Sequence, residues 1–179
     1  EDGIRDVAVT GVQTCALPIS TMPFEIGSNL TYFFDTGIIA RGLLAAWEAT
    51  GDEEFAQRAK DAALSLAFDF LGEGAFHPIV TLPEKEPLEY DFQRWSRSPG
   101  CYQLKSAMAW KDIGDAFHDE HATRLFEQAL TMALATHETF LPGVDAPERV
   151  MDRLHAYSYF LEALLSVGDR KSTRLNSSH

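Results

Sequence analysis

The chain has 179 residues, 45% of them hydrophobic, which is enough to bury the core of one globular domain. Its formal net charge of −12 and the lack of a Lys/Arg cluster argue against nucleic acid or an anionic membrane surface as a partner. No apolar run reaches the roughly 18 positions that a membrane span needs, so we expect a cytoplasmic protein, with secretion left open because the natural N-terminus is expected to lie outside the chain.

Both ends of the chain resemble translated sequencing-adapter DNA. The N-terminal segment contains VTGVQTCALPI, ending at Ile19, and the C-terminal segment Asp169–His179 reads DRKSTRLNSSH. Each is similar to the in-frame translation of a common short-read adapter, read from opposite strands. Such segments are set aside in fold reasoning. We therefore divide the chain into adapter-like residues 1–20, a natural segment 21–168 and adapter-like residues 169–179, and expect the natural segment to be an internal piece of a longer protein.

The first predicted helix, Tyr32–Ala49, is apolar on nearly every side. After Asp35, only Arg41 and Glu48 carry charge in the sequence YFFDTGIIARGLLAAWEA. A helix without a polar face cannot lie against water, so we expect other helices to surround it.

A second helix of a different kind is predicted at Glu53–Leu71. Gly51 is a suitable stop for the first helix, and Asp52 is suited to begin the second. The apolar residues of the second helix recur on one face, as is typical of a surface helix; they are Phe55, Ala59, Ala62, Ala63, Leu66 and Phe70. Together the two helices predict a hairpin with a buried inner arm and an amphipathic outer arm.

The segment from Gly72 to Pro99 interrupts the helical pattern. Its repeated glycines and prolines argue against a long helix, and Phe76–Val80 predicts a short strand. A connection of this length inside a compact domain is usually functional. The alternative is a covering loop without chemistry.

The hairpin then repeats. A second inner helix is predicted at Cys101–Ile113 and a second amphipathic helix at Asp119–Phe140. Both inner helices end in the same phrase, Ala-Trp, three residues and Gly-Asp, at Ala46–Asp52 and Ala109–Asp115. His155–Val167 predicts a third inner helix that ends before Gly168. Repeats of this kind each leave an apolar face open and must stack on neighbours.

This order of inner helix, Gly-Asp turn, outer helix, long loop and inner helix resembles the α/α toroid of the six-hairpin glycosidase-like proteins. The resemblance covers nearly all of residues 21–168 and includes phrases such as ATGDEEF at Ala49–Phe55. It implies an all-α fold of stacked inner and outer helical hairpins, a partial (α/α)6 barrel. The group includes unsaturated uronyl hydrolases, sugar epimerases and polysaccharide lyases. No complete catalytic signature of one member family is present, so no family residue is transferred.

The stacking itself predicts where a site would lie, because inner helices that begin at one end of the layer bring their first turns together. Acid–base chemistry on a sugar needs a carboxylate or histidine with a shifted pKa, and the candidates are Asp35 and His155. Rings stack on the apolar faces of sugars, and polar groups bind their hydroxyls or carboxylates. The candidate substrate-binding residues on this face are Tyr32, Trp95, Arg97, Tyr102, Gln103 and Tyr157.

Each candidate also has a structural interpretation. Asp35 and His155, at predicted helix starts, could stabilise helix ends or make a structural hydrogen bond, and the aromatic residues could belong to the core. His118 and His121 are spaced three apart on an expected outer surface, where solvation is the better explanation than a metal site. We predict no metal and no cofactor.

These observations predict a carbohydrate-active enzyme, a glycoside or uronide hydrolase or a sugar epimerase, acting on a small-molecule or oligosaccharide substrate. Further N- and C-terminal repeats of the same chain are expected to complete the barrel. A two-carboxylate hydrolase needs a second acid on the same face, which the sequence does not place. The alternatives are a terpenoid-cyclase-like toroid and a non-catalytic helical-repeat binding module in a glycan or envelope pathway.

Overall fold

The structure, a computed structural model, describes residues 29–142 and 146–176, with side chains described as far as residue 168. The adapter-like segment 1–20 lies outside these residues. The described chain is mostly helical, which confirms the all-α class. Its elements are β1 (Leu30–Tyr32), α1 (Phe33–Thr50), α2 (Glu53–Phe68), β2 (Ile79–Thr81), two 3-10 turns (Trp95–Arg97 and Cys101–Gln103), α3 (Leu104–Phe117), α4 (Glu120–Phe140) and α5 (Pro147–Asn176).

In the first hairpin, α1 ends and α2 begins where the sequence predicts. Gly51 adopts the left-handed conformation with φ of 71°, and its N–H donates to the carbonyl of Trp47 at 2.7 Å. A residue with a side chain is strained in this conformation, which explains the glycine. Asp52 then caps α2 by accepting a hydrogen bond from the N–H of Glu54. Because the turn is so short, α2 folds back along α1.

In the second hairpin, the connection between α3 and α4 comes one helical turn later in the chain than the repeated phrase predicts. Gly114 lies inside α3, and the left-handed residue is His118, with φ of 55°, followed by Asp119 as the cap of α4. A side chain at Gly114 would lie 2.6 Å from Oγ1 of Thr123. Gly114 therefore permits the close approach of α4 rather than ending α3, and the expected helix end at Ile113 is wrong.

The two apolar helices, α1 and α3, run in the same direction side by side. At their N-terminal ends, the hydroxyl of Ser106 donates to the carbonyl of Phe34 at 2.9 Å. Further along, Nε of Arg41 lies 2.7 Å from Oδ2 of Asp112. The contact is close because Gly37 has no side chain, and a Cβ there would lie 2.5 Å from Cβ of Ser106.

The core lies between this pair and α2. Trp110 of α3 is fully buried, contacts the ring of Phe33, and donates its indole N–H to the carbonyl of Ala63 at 2.8 Å. Satisfying the single polar atom of the indole lets it occupy the centre of the core without a desolvation penalty. Each amphipathic helix, α2 and α4, packs mainly on the apolar helix of its own hairpin.

Helix α5 differs most from expectation. It begins at Pro147 rather than His155, and it continues through Gly168 to Asn176. Proline is favoured in a first helical turn, where its missing N–H has no partner to lose. The expectation that His155 begins a helix is therefore wrong, since this residue lies about two turns inside α5. The backbone of the adapter-like residues 169–176 continues the same helix.

The orientation of α5 follows from its contacts with α4. The ring of Tyr157 lies near Phe140, and the ring of Phe160 lies near His137, so the two helices are antiparallel. Helix α5 therefore runs in the same direction as α1 and α3. One face of α5 remains exposed and carries apolar residues at intervals of three, four and seven; they are Met151, Leu154, Leu161 and Leu165.

The long connection folds back onto the start of α1. Strand β2 pairs antiparallel with β1, with Leu30 opposite Thr81 and Tyr32 opposite Ile79. The strand expected at residues 76–80 thus lies at 79–81. The N–H of Phe33, which has no partner within α1, donates to the carbonyl of Pro78 at 3.0 Å. This pairing holds the connection beside the N-terminal end of α1.

Within the part of the chain that the structure describes, no helix has both the length and the hydropathy that a bilayer crossing requires.

Candidate functional site

A cavity of about 180 Å³ lies at the N-terminal end of α1, between its first turn and the long connection. The β1–β2 pair forms one side of it, and the two 3-10 turns before α3 form the other. The cavity is lined by Tyr32, Phe34, Asp35, Pro78, Trp95, Ser96 and Tyr102. Four of the predicted site residues are therefore brought together here, namely Tyr32, Asp35, Trp95 and Tyr102.

Asp35 supplies a carboxylate to this cavity. It lies in the first turn of α1 and is exposed as a residue, although the surrounding protein removes enough water from its carboxyl to raise its pKa above the usual value. Among the described residues, no salt bridge or side-chain hydrogen bond reaches this carboxylate. A carboxyl that holds its proton more strongly than usual is suited to general acid–base chemistry.

Trp95 is the largest ring of the cavity lining. Its backbone N–H donates to Oδ2 of Asp152 at 2.8 Å, which fastens the 3-10 turn to α5. Its ring stands edge-on to Tyr102, with centroids 5.0 Å apart, and edge-on to His155, with centroids 4.9 Å apart. Such edge-to-face contacts hold a ring in a defined orientation. The wall of the cavity is thus fixed both from the 3-10 turn before α3 and from α5.

His155 lies near the cavity without being part of its lining. It is exposed on α5, with its ring against Trp95 and its centroid 6.0 Å from that of Tyr159. Tyr159 in turn contacts Phe34 of α1, with ring centroids 4.9 Å apart. His155 therefore lies at the same end of the parallel helices as Asp35. It belongs to a continuous group of rings that reaches from the cavity to α5. We refer to this group, Phe34, Trp95, Tyr102, His155 and Tyr159, as the aromatic cluster.

Tyr102 contributes its ring to the cavity while its hydroxyl has a structural role. The hydroxyl donates to the carbonyl of Ser98 at 3.1 Å, and burial raises the pKa of the phenol. Its side chain is 2% exposed, so it cannot offer the hydroxyl to a ligand.

Gln103 is not brought to the cavity. Its amide donates to the carbonyl of Phe76 at 3.0 Å and accepts from the N–H of Gly100 at 3.1 Å, so both polar ends hold the loop. It lines instead a separate apolar cavity of about 110 Å³ between the loop and α4.

Arg97 and Tyr157 also lie away from the cavity lining. Arg97 is exposed on its 3-10 turn. Tyr157 points toward α4, where its ring contacts Phe140, and it also contacts Phe160 of its own helix. Because α5 begins two turns earlier than expected, Tyr157 falls on the face that packs against α4 rather than in a first turn.

Two residues that build this site are not among those expected from the sequence. Phe34 belongs to the aromatic cluster, and Asp152 holds the backbone of Trp95. Helical spacing offered a signal for Asp152, since it lies three residues before His155 and such residues share a face. The signal was hidden because the helix was expected to begin at His155.

Arg153 of α5 holds the long connection in place through hydrogen bonds. It is 6% exposed, and its guanidinium donates to the carbonyls of Phe140 and Phe92, both at 3.0 Å, and to the hydroxyl of Ser98 at 3.3 Å. Its Nε is buried without a hydrogen-bond partner. Burial, followed by the nearby charge of Arg149, lowers the pKa of the guanidinium. The residue joins three segments of chain beneath the wall that carries Trp95.

Within the described ranges, no group of three or more His, Cys, Asp or Glu side chains is arranged to hold a metal ion. Cys101 is buried, and this burial raises the pKa of its thiol to about 12, so the thiolate needed for nucleophilic chemistry is absent at neutral pH.

Comparison with known proteins returns no matching protein-family model, curated protein or solved structure. The functional argument therefore depends on the cavity itself.

Proposed function

We propose that the protein is a carbohydrate-active enzyme, a hydrolase or an epimerase, whose site is the cavity at the N-terminal end of α1. The observation that supports this most is the placement of the Asp35 carboxyl, with its raised pKa, beside the ring of Trp95 in one cavity. A sugar presents apolar C–H faces that stack on rings and hydroxyls that bind carboxylates. The fold class by itself carries no argument for this activity.

In this proposal Asp35 is the acid–base residue. As the acid–base residue, Asp35 would give a proton to a leaving oxygen and take one back, and the raised pKa of its carboxyl favours the step in which the proton is held. The cavity, at about 180 Å³, is smaller than the roughly 300–1,000 Å³ typical of a complete ligand site. It therefore suits one ring of a substrate. His155, on the other side of Trp95, would contact the part of the substrate that extends beyond the cavity.

We also propose that further hairpins continue the stack on both flanks, as in an α/α toroid. On one flank, α5 exposes Met151, Leu154, Leu161 and Leu165 at helix-packing intervals. On the other flank, α1 exposes Ile38. Gly42 lies one turn further on the same side of α1, and a Cβ added there would have no described atom within 4 Å. Small residues allow a neighbouring helix to approach closely, as Gly37 does for α3.

A non-catalytic sugar-binding module is the second candidate. Among the described residues that line the cavity, Asp35 is the only carboxylate. Glycosidases that use two carboxyl groups need them about 5 to 10 Å apart across the substrate. A module that binds without turnover needs only the ring and one hydrogen-bonding group, which the cavity has.

Substitution of Asp35 separates these two candidates. We expect Asp35→Asn to abolish turnover of a substrate found by screening neutral and acidic glycosides, while leaving sugar binding within about tenfold, since one hydrogen-bonding group is kept. Asp61→Asn is the matched control, because Asp61 is an exposed α2 residue bonded only to Gln57. Binding in wild-type protein without turnover of any glycoside favours the binding module. No binding of any sugar rejects both.

The flank proposal has its own test. The chain alone should bind a hydrophobic dye, since exposed apolar patches of more than a few hundred Å² usually mark a missing partner. Leu161→Ser with Leu165→Ser should reduce that signal more than Leu64→Ser, which removes an exposed leucine of α2. A soluble monomer that melts cooperatively and binds no dye rejects the proposal.

A further inference from the structure

The charge of the cavity lining is unbalanced. Of the described residues that line it, only Asp35 carries a formal charge, and the others are aromatic rings, Pro78 and Ser96. From the described walls of this cavity, a ligand group therefore meets one carboxylate and no cation.

Three arginines on the neighbouring segments, namely Arg94, Arg97 and Arg153, do not supply the missing positive charge. Arg153 uses its guanidinium on two backbone carbonyls and a hydroxyl. Arg94 faces the carboxylate of Asp152 at 4.0 Å. Arg97, predicted to bind substrate, is exposed on its turn and does not line the cavity. The described cavity walls therefore offer no guanidinium that could bind the carboxylate of a sugar through two hydrogen bonds.

The helix dipole does not reverse this balance. The N-terminal end of α1 contributes the equivalent of about half a positive charge. Asp35, in the first turn of the same helix, contributes a full negative charge when ionised. The cavity therefore remains net negative, and it repels a second carboxylate.

We infer that the sugar ring bound in this cavity is uncharged, so that the substrate is a neutral sugar or glycoside and not a uronide. This inference rests on the proposed function and narrows its substrate class. The hydroxyl groups of a neutral ring donate to the Asp35 carboxylate, and an apolar face of the ring lies on Trp95. A uronate would place its own carboxylate near that of Asp35 with no guanidinium to accept it.

The test compares sugars that differ only at C6. Glucose with glucuronate, and galactose with galacturonate, form pairs in which a hydroxymethyl group is replaced by a carboxylate. Binding is measured by ligand-observed NMR at neutral pH, with Trp95→Phe to assign the signal to this cavity. We expect the neutral member of whichever pair binds to bind at least about tenfold more tightly, since like charges near one another in a partly buried site are strongly disfavoured.

Asp35→Asn provides the second arm of the test. Removing the negative charge should raise the affinity for the uronate and reduce the difference within the pair to less than about threefold. The control Asp61→Asn should leave the difference unchanged, because Asp61 lies on the outer surface of α2. Equal or tighter binding of the uronate by the wild-type protein overturns the inference and leaves the proposed function standing. If no member of any pair binds, the proposed function itself fails, and the inference fails with it.

Discussion

The carboxylates at the two ends of the α1–α3 pair differ in whether a cation is paired with them. At the N-terminal end, Asp35 lies in a cavity of about 180 Å³ among rings, and no described cation pairs with it. At the C-terminal end, a polar cavity of about 420 Å³ is lined by Arg41, Glu48, Asp112 and Asp115 among others. There Asp112 pairs with Arg41 and Asp115 pairs with Lys111, each at 2.7 Å.

The paired carboxylates of Asp112 and Asp115 have a structural role, whereas Asp35 is the candidate for chemistry. A carboxylate that is paired with a cation at a protein surface contributes modestly to stability. An unpaired carboxylate among rings holds its proton more strongly, as the raised pKa of Asp35 reflects. The two helices therefore carry a stabilising end and a candidate functional end.

The largest expected effect concerns the support of the N-terminal end. Arg153→Met should lower the free energy of unfolding by about 3–5 kcal/mol, because it leaves the buried carbonyl of Phe140, the partly buried carbonyl of Phe92 and the hydroxyl of Ser98 without their donor. Urea denaturation measures it. Arg124→Met is the control, since Arg124 makes only an exposed contact with Glu120 at 3.7 Å and should cost less than about 0.5 kcal/mol. Equal losses for the two variants would show that the hydrogen bonds of Arg153 do not stabilise the contact between the long connection and α5.

The next effect concerns the contact that brings the two first turns together. Gly37→Ala should cost about 2–3 kcal/mol, because the new methyl group would lie 2.6 Å from the carbonyl oxygen of Ser106 and α1 must move away from α3. Gly42→Ala, in the same helix with nothing within 4 Å, should instead stabilise the protein by about 0.5–1 kcal/mol. Thermal unfolding of both variants measures the contrast, and an unchanged Gly37→Ala protein would disprove the close approach.

The paired end should respond more weakly. A double-mutant cycle on Arg41→Met and Asp112→Asn should give a coupling energy of about 1 kcal/mol, because the two side chains are 30% and 13% exposed and water screens part of their attraction. The coupling should fall when the salt concentration is raised to about 1 M. A coupling energy near zero would mean that packing alone aligns this end of the helices.

The smallest effect concerns the unpaired carboxylate. Since folding raises the pKa of Asp35 above 3.8, the folded state binds its proton more tightly than the unfolded state does. Stability is therefore lost as the pH rises from about 4 through the folded pKa. Asp35→Asn should gain melting temperature relative to wild type between about pH 4 and 7, by less than about 2 °C because the residue is exposed. A wild-type advantage that grows with pH would reverse the assigned direction.

Local sequence signals were sufficient for the first hairpin. The apolar pattern of α1, the glycine at its end and the aspartate that caps α2 all act between residues a few positions apart. The same signals misplace the second hairpin, because Gly114 has the sequence pattern of a helix stop but instead accommodates Thr123 of α4. A glycine in a helix has two uses, and only its neighbour in space distinguishes them.

The candidate site was predictable in part for the same reason. Asp35 lies in the first turn of α1 and Tyr32 just before it, and Trp95 and Tyr102 lie just before the next apolar helix, so a parallel arrangement brings them together. Gln103 could not be separated from them by sequence, because its engagement depends on the carbonyl of Phe76, distant in the chain. The start of α5 was missed because charged residues separate the few apolar residues of its first two turns, and because Arg153 is stabilised there only by contacts with the distant loop.

The sequence by itself determined the helical class, the apolar character of α1 and α3, and the caps that end and begin the helices of the first hairpin, because periodicity and capping are local properties of the chain. Only the tertiary structure decided which carboxylate is paired and which is left among rings. That distinction depends on contacts such as Arg41 with Asp112 and Trp95 with His155, which join residues 60 to 71 positions apart. Electrostatic environment is set by such distant neighbours, and their positions follow from the packing of whole helices.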